Sequence, residues 1–177
     1  VHMRKKLIII LPTILLLTSI AYILYLLNYI PHKKYSNEYF GIPTYTSNID
    51  KDNDGIDDQT DILQNVKKYV ATKPKYASKY YKDGYPDDGY GVCTDVVAFG
   101  LKGAGYDLMT LVNEDIKNNR NLYNIDVIDK KIDFRRVRNL KIYLDRHAIS
   151  LTTDINNISE WQGGDIIVIK THIGIIS

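Results

Sequence analysis

Gly91-Val-Cys93-Thr-Asp-Val-Val-Ala98 is the stretch on which the fold turns. It leaves a segment rich in Tyr, Gly, Asp and Pro, Tyr80 to Gly91, with too many turn formers for a regular element, so a surface loop is expected there. Beyond it Val96, Val97, Leu101 and Ala104 recur at helical intervals, and Gly103 and Gly105 supply a stop. The spacing predicts a helix over 93–103 with Cys93 in its first turn. Working outward, Ile62, Leu63, Val66, Tyr69 and Val70 predict a helix over 60–71, ended by Thr72-Lys-Pro74. Two further helices are expected over 108–118 and 135–147. Ile166-Ile-Val-Ile169 and Ile173-Gly-Ile-Ile176, separated by Lys170-Thr-His172, read as a buried hairpin. Helices first and strands last is the order of an α+β domain.

The composition narrows the function classes. With 177 residues, 45% hydrophobic and 25% charged, the chain has the ordinary profile of one globular domain, which excludes collagen-like and disordered classes. A net charge of +2 gives no field that argues for nucleic acid as a partner. The 15 tyrosines are scattered and make no stacking platform with basic residues between them. Glu114 and Asp115 are adjacent, hence not on one helical face, and read as surface rather than as a catalytic carboxylate pair. His147, near a helix end, reads as structural. No internal repeat is present.

Residues Leu7 to Leu27 carry no charge, enough length at about 1.5 Å per residue to cross a hydrocarbon layer of about 30 Å. Residues 1–30 are therefore expected to be a cytoplasmic tip and single-pass signal anchor. Ser19 and Ala21 would suit a cleaved signal peptide, but the apolar run continues past them through Tyr22-Ile-Leu-Tyr-Leu-Leu27, which favours the anchor. Arg4, Lys5 and Lys6 outweigh Lys33 and Lys34, placing the N-terminus in the cytoplasm and the bulk of the chain outside the cell membrane. Residues 31–49, polar and interrupted by Pro43, read as a tether.

Residues 50–61 place carboxylates at loop positions 1, 3, 5, 9 and 12, Asp50, Asp52, Asp54, Asp58 and Asp61, with Gly55 at position 6. Calcium needs six to eight oxygens in one small volume, and this alternation, with the Ile56 carbonyl at position 7, could supply them. The spacing resembles the loops of thrombospondin type-three repeats and dockerins, with Asp61 in the last position. It implies a structural Ca2+ of weak affinity, adequate where calcium is abundant. The competing reading is a solvated acidic turn with Asp61 near a helix N-terminus.

A single cysteine, Cys93, can make neither an internal disulfide nor a thiolate zinc site, so it is inert packing or chemistry. A thiol becomes nucleophilic when a helix N-terminus and a neighbouring imidazole favour its thiolate. His172, at the mouth of the hairpin, is the candidate base, and a buried, inert Cys93 beside Val96 and Val97 is the alternative.

These segments carry a resemblance. Gly91-Val-Cys93-Thr-Asp-Val-Val-Ala98, Gly164-Asp165-Ile-Ile-Val-Ile169 and His172-Ile-Gly-Ile-Ile176 resemble the bacterial cell-wall cysteine peptidases of the NlpC type, in the papain-like superfamily. Asp83-Gly-Tyr-Pro-Asp87, Gly105-Tyr-Asp-Leu108, Leu111-Val-Asn-Glu-Asp115 and Ile132-Asp-Phe-Arg-Arg-Val-Arg-Asn-Leu140 resemble a domain-of-unknown-function branch of that superfamily. The resemblance implies a papain-like domain over 62–177, with Cys93 as nucleophile and His172 as general base, acting on amide bonds in the peptide stems of peptidoglycan. Asp165 is expected to order the strand entry. Such domains supply a third polar residue from a strand beyond the one bearing the histidine. The chain ends five residues after His172, so one of three outcomes is expected: the domain is incomplete at its C-terminus, Asp95 or another upstream group serves instead, or activity is impaired.

Arg135, Arg136 and Arg138 form the densest basic cluster; Arg135 and Arg136 are candidates to bind stem-peptide carboxylates or teichoic phosphates, against a solvated helix face. Two function classes follow: a membrane-anchored, extracytoplasmic cysteine hydrolase, or a non-catalytic, calcium-dependent envelope-binding module on the same fold.

Overall fold

The computed structural model describes residues 2–27, 29–33 and 35–177, with side chains from residue 10 onward within them. The chain divides into two units, Val1–Ile42 and Pro43–Ser177. The first holds helix α1 (His2–Leu26), with Pro12 inside it, and a 3₁₀ turn at Asn37–Phe40 closed by Gly41 at φ +68°. Side chains from Ile10 to Leu27 are exposed along α1 and its end. The expected anchor begins at Leu7, and its basic flanks Arg4, Lys5, Lys6 and Lys34 lie outside the described side chains. Among the described residues no helix is long and apolar enough to cross a membrane.

The second unit is α+β. Helix α2 (Asp58–Ala71) leads through the two-residue strands β1 (Lys75–Tyr76) and β2 (Tyr90–Gly91) to α3 (Cys93–Gly103) and α4 (Leu108–Asn118). The single turns α5 (Arg120–Tyr123) and α6 (Lys130–Asp133), helix α7 (Val137–His147) and strands β3 (Ile166–Ile169) and β4 (His172–Ile175) complete it. The hairpin is antiparallel, pairing Ile166 with Ile175 and Ile169 with His172, whereas β1 and β2 pair in parallel.

Helix α3 occupies the centre because both of its flanks are apolar. Val97 and Ala98 are fully buried with Val112 and Ile116 of α4, Phe134, Leu140 of α7, and Ile173 of β4. Gly100 sets how closely α3 approaches its neighbours. A Cβ there would overlap Val66 of α2 and lie 3.4 Å from the Ile62 carbonyl and 3.6 Å from Ile175 Cδ1 of β4. The missing side chain thus lets one helix face touch both α2 and the hairpin.

The helix starts follow from local chemistry. Asp57 caps α2: its carboxylate accepts the Thr60 N–H at 3.3 Å and also the Ser47 N–H at 2.8 Å. Burial works to raise its pKa, but those hydrogen bonds prevail and hold it below the usual aspartate value. Replacing Asp57 with alanine is expected to cost about 1 kcal/mol in urea unfolding, the usual loss of an N-cap.

Three expectations require correction. Residues from Pro43 belong to the folded unit rather than to a tether, since Gln162 accepts the Tyr45 N–H and donates to the Pro43 carbonyl. Tyr80–Gly91 is not wholly a surface loop: Tyr81 is buried beneath the Arg135 guanidinium, 4.9 Å from its ring centre, and its hydroxyl donates to Asp88. Asp115 is buried rather than superficial, accepting hydrogen bonds from Tyr123, Arg146 and Asn119 and pairing with His147 Nε2 at 3.1 Å.

Candidate functional site

The backbone turns from β2 into α3 at Val92, in extended conformation, and Cys93 is the first helical residue. Its N–H is among the first-turn amides that a helix leaves without an intrahelical acceptor. The thiol is half-buried and packs against the edge of the core. Asp95, two residues on, fixes this turn: its Oδ2 accepts the Val92 N–H at 2.8 Å. Val92 has no side-chain acceptor to return the contact, so only the carboxylate half of a capping box is made.

Asp95 is fully buried, and Arg135 neutralises it. The guanidinium grips the carboxylate with both prongs, Nε to Oδ1 at 2.6 Å and Nη2 to Oδ2 at 2.9 Å, and Nη1 donates to the Lys79 carbonyl at 2.6 Å. Thr94 Oγ1 donates to the Arg135 carbonyl at 3.1 Å, tying the start of α3 to the segment before α7 a second time. Lys79 bonds Asp88 at 2.7 Å and lies over the Tyr90 ring, which extends the network to β2. Behind the turn, Tyr69 stacks on Phe99 at 4.4 Å, and its buried hydroxyl has no hydrogen-bond partner. A Cβ on Gly91 would come within 2.5 Å of that hydroxyl, so Gly91 leaves room for it. Burial first, and the Asp95 charge second, push the Tyr69 pKa up, so its proton is kept.

Two sequence expectations change here. Arg135 is not available to a substrate: it is 7% exposed and committed to Asp95, because a lone buried carboxylate demands a cation. Asp95 cannot orient an imidazole, because its oxygens are taken by Val92 and Arg135. It is a positioning residue for the Cys93 turn.

His172 opens β4 and is exposed, one residue before the buried Ile173. Helix α3 and β4 pack directly on each other, at Gly100 and Ile175 among other positions. Cys93 and His172 thus each begin an element of one packed pair; among the described residues no hydrogen bond joins them. Asp165 orders the strand entry as expected, Oδ2 accepting the Gln162 N–H at 2.8 Å and Oδ1 accepting from Gln59 Nε2 at 3.0 Å.

Next to His172 in the chain, Lys170 and Thr171 form one wall of an open recess of about 500 Å³. Arg136 and Arg138 line it too, together with the buried carboxyl of Asp133. Arg136 is exposed and only 3.9 Å from Asp133, so its guanidinium is loosely held. Arg136 and Arg138 therefore stand where a solvated anion could meet them, with Lys170 as the third cation. Lys170 was invisible to sequence reasoning because nothing local distinguishes a turn lysine from any other; its φ of +52° shows the tight turn that points the chain back.

The acidic loop is the other candidate site. Asp50, Asp52 and Asp54 bring one oxygen each within 4.8 Å of one another. Asp58 stands apart from them: Oδ1 accepts the Lys51 N–H at 2.8 Å and Oδ2 accepts the Tyr106 hydroxyl. Its expected place among metal ligands is thus corrected, because burial beside Tyr106 gives both oxygens protein donors. Asp61 is 6% exposed, with Oδ1 accepting from Asn65 at 2.7 Å and Oδ2 buried without a partner. Burial first, then the charges of Asp54 and Asp52, push its pKa up.

The family model described as "Domain of unknown function (DUF1287)" matches residues 63–177. "Uncharacterized protein YijF" of Escherichia coli (strain K12) is 35% identical over 113 residues, 59% of this chain and 55% of the relative. The chain thus spans about half the length of that relative. No solved structure matches it.

Proposed function

The chain belongs to the DUF1287 family, and from that premise we propose that it is a membrane-anchored, extracytoplasmic cysteine hydrolase of the papain-like, NlpC type. Its substrates are the amide bonds of peptidoglycan stem peptides. The observation that carries the reading is the position of Cys93, half-exposed on the first turn of a buried helix that packs on the strand begun by His172. A nucleophile at a helix N-terminus has a stabilised thiolate and an amide at hand for the oxyanion.

In the reaction, Cys93 Sγ forms the bond to the amide carbonyl carbon while His172 takes the thiol proton. The carbonyl oxygen gathers charge facing the Cys93 N–H. The C–N bond then breaks, His172 returns the proton to the departing amine, and water cleaves the thioester with His172 as base again. Arg136, Arg138 and Lys170 supply the charge that a stem-peptide carboxylate requires. The anchor rests on the uncharged run Leu7–Leu27, whose proline is tolerated in helices spanning lipid.

Iodoacetamide alkylation tests the pair directly. At pH 7 the His172→Ala variant is expected to react roughly tenfold more slowly than the parent chain, because no imidazole is left to take the thiol proton. Release of amines from stem peptides is expected to vanish in Cys93→Ala. Equal alkylation rates with and without the imidazole would overturn the hydrolase and leave the envelope-binding module.

A further inference from the structure

We propose that the recess between the start of α7 and the turn joining β3 to β4 binds the zwitterionic end of an amino acid, with an ammonium and a carboxylate on one carbon. Asp133 and Asn139 receive the ammonium; Arg136, Arg138, Lys170 and the first turn of α7 receive the carboxylate. As a statement about substrate this rests on the hydrolase reading, because Lys170 and Thr171 of the recess lead directly into His172; as a binding site it stands on binding alone. The carboxylate half follows from how α7 begins. Its N-cap, Arg136, makes no side-chain capping bond, and the first backbone bond of the helix joins the Leu140 N–H to the Arg136 carbonyl at 3.0 Å. The Val137, Arg138 and Asn139 amides therefore open the helix without intrahelical acceptors, at the positive end of its dipole. These three residues line the recess, and the exposed residues Arg138 and Lys170 bring two full positive charges to the same place.

A helix end and cations by themselves would take any anion. A second, independent feature of the same wall narrows the ligand. Asp133 lines the recess and is 4% exposed. Its Oδ2 accepts the Asp129 N–H at 2.8 Å, but Oδ1 meets only Arg136 Nε at 3.9 Å, beyond hydrogen-bond reach. Buried Asn139, also in the wall, donates Nδ2 to the Asp133 carbonyl at 3.0 Å, which leaves its side-chain oxygen as an acceptor with no partner among the described residues. By contrast the buried carboxylates of Asp95 and Asp115 meet guanidinium groups at 2.6 and 3.2 Å. Two neighbouring buried acceptors in want of a donor fit an N–H group of the ligand, and an ammonium carries three. A phosphate or a simple carboxylate would serve the helix end and leave these acceptors bare, at a cost in desolvation. Cations outnumber carboxylates in the wall, which disfavours a diamine and suits a ligand whose ammonium is accompanied by negative charge. The recess, about 500 Å³, is within the range of small-molecule sites, and Ile125, Val127 and Val137 offer an apolar side for the aliphatic part.

Titration of the full chain in detergent, followed by ligand-observed NMR, tests this with L-alanine, N-acetyl-L-alanine, L-alaninamide and Nε-acetyl-L-lysine. Alanine is expected to bind saturably. The acetylated compound lacks the ammonium and the amide lacks the carboxylate, so each is expected to bind about tenfold more weakly, the usual worth of a charge-assisted hydrogen bond. Nε-acetyl-lysine carries the zwitterion on a long arm: tighter binding than alanine identifies a side chain of a peptide as the source and weaker binding a free amino acid, and either supports the site. Asp133→Asn can keep the Asp129 N–H bond, and is expected to lose about tenfold in affinity for alanine while N-acetyl-alanine holds its own. A merely structural role would weaken both ligands alike. Arg138→Gln, at an exposed position, is expected to weaken both without lowering the melting temperature. Overturning results are N-acetyl-alanine binding as tightly as alanine in the parent chain, an unchanged alanine affinity in Asp133→Asn, or no saturable binding of any zwitterion. Should Asp133→Asn not fold, the comparison of ligands on the parent chain decides. Alkylation of Cys93 is read separately: a chain that binds alanine but whose alkylation ignores His172 keeps this site and loses the hydrolase, and the reverse pattern does the opposite.

Discussion

Replacing Arg135 with methionine is expected to lower the unfolding free energy by about 3–5 kcal/mol, the usual loss when one member of a buried ion pair is removed and the other is stranded. The side chains of the pair are 2% and 0% exposed, so the Asp95 carboxylate would have no water to turn to. Methionine keeps most of the apolar stem over Tyr81 and isolates the electrostatic loss. The double variant Arg135→Met, Asp95→Asn is expected to regain a large part of the deficit. The neutral amide can still accept the Val92 N–H through its oxygen and leaves no buried charge. Urea unfolding of the four members of the cycle gives the coupling directly, expected to exceed about 1.5 kcal/mol. A single-variant cost below about 1 kcal/mol would mean that the ion pair does not hold the Cys93 turn.

That result bears on what a sequence can disclose. The limits of α3 and α4 were legible as residues 93–103 and 108–118, because apolar residues at three- and four-residue steps end at glycine or at a polar run. The hairpin was legible from its β-branched runs, but its turn is the two residues Lys170 and Thr171, His172 is already the first residue of β4, and of the strand residues only Ile173 is buried, so the expected buried hairpin is largely half-exposed. Arg135 was not: three basic residues in a row of four read as a solvated face, and only the partner 40 positions away turns one of them inward. Asp58 was misplaced for the same reason, since its loop spacing is that of a ligand until Tyr106, 48 positions on, takes the oxygen. The β1–β2 pair had no signal at all, each strand being two residues long and so too short to show a period. Local pattern thus revealed the elements that carry Cys93 and His172, while the charge pairing that fixes the first of them is a property of tertiary contact.

Removal of the Asp115 carboxylate, in Asp115→Ala, is expected to cost about 2–4 kcal/mol at pH 7, and that cost should shrink as the solution is acidified. Asp115 is 7% exposed at the junction of α4, α5 and α7, where Tyr123, Arg146, Asn119 and His147 converge on its two oxygens. Burial works to raise its pKa; the hydrogen bonds of Tyr123, His147 and Arg146 together outweigh it and hold the folded pKa below the usual aspartate value. Because the folded pKa is depressed, the ionised carboxylate contributes its full stabilisation above the unfolded aspartate pKa of about 3.9, and loses it as the pH falls through the lower, folded pKa. The parent chain should therefore lose stability across that window, and the variant, with no carboxylate at this place, should show a shallower acid limb. Tyr123 gives a companion signature: burial and the Asp115 charge push its pKa up, so its phenol should ionise at lower pH in the variant, which ultraviolet titration reads directly. Parallel acid limbs in parent and variant would show that the cluster closing α4 against α7 owes its stability to apolar packing rather than to the carboxylate.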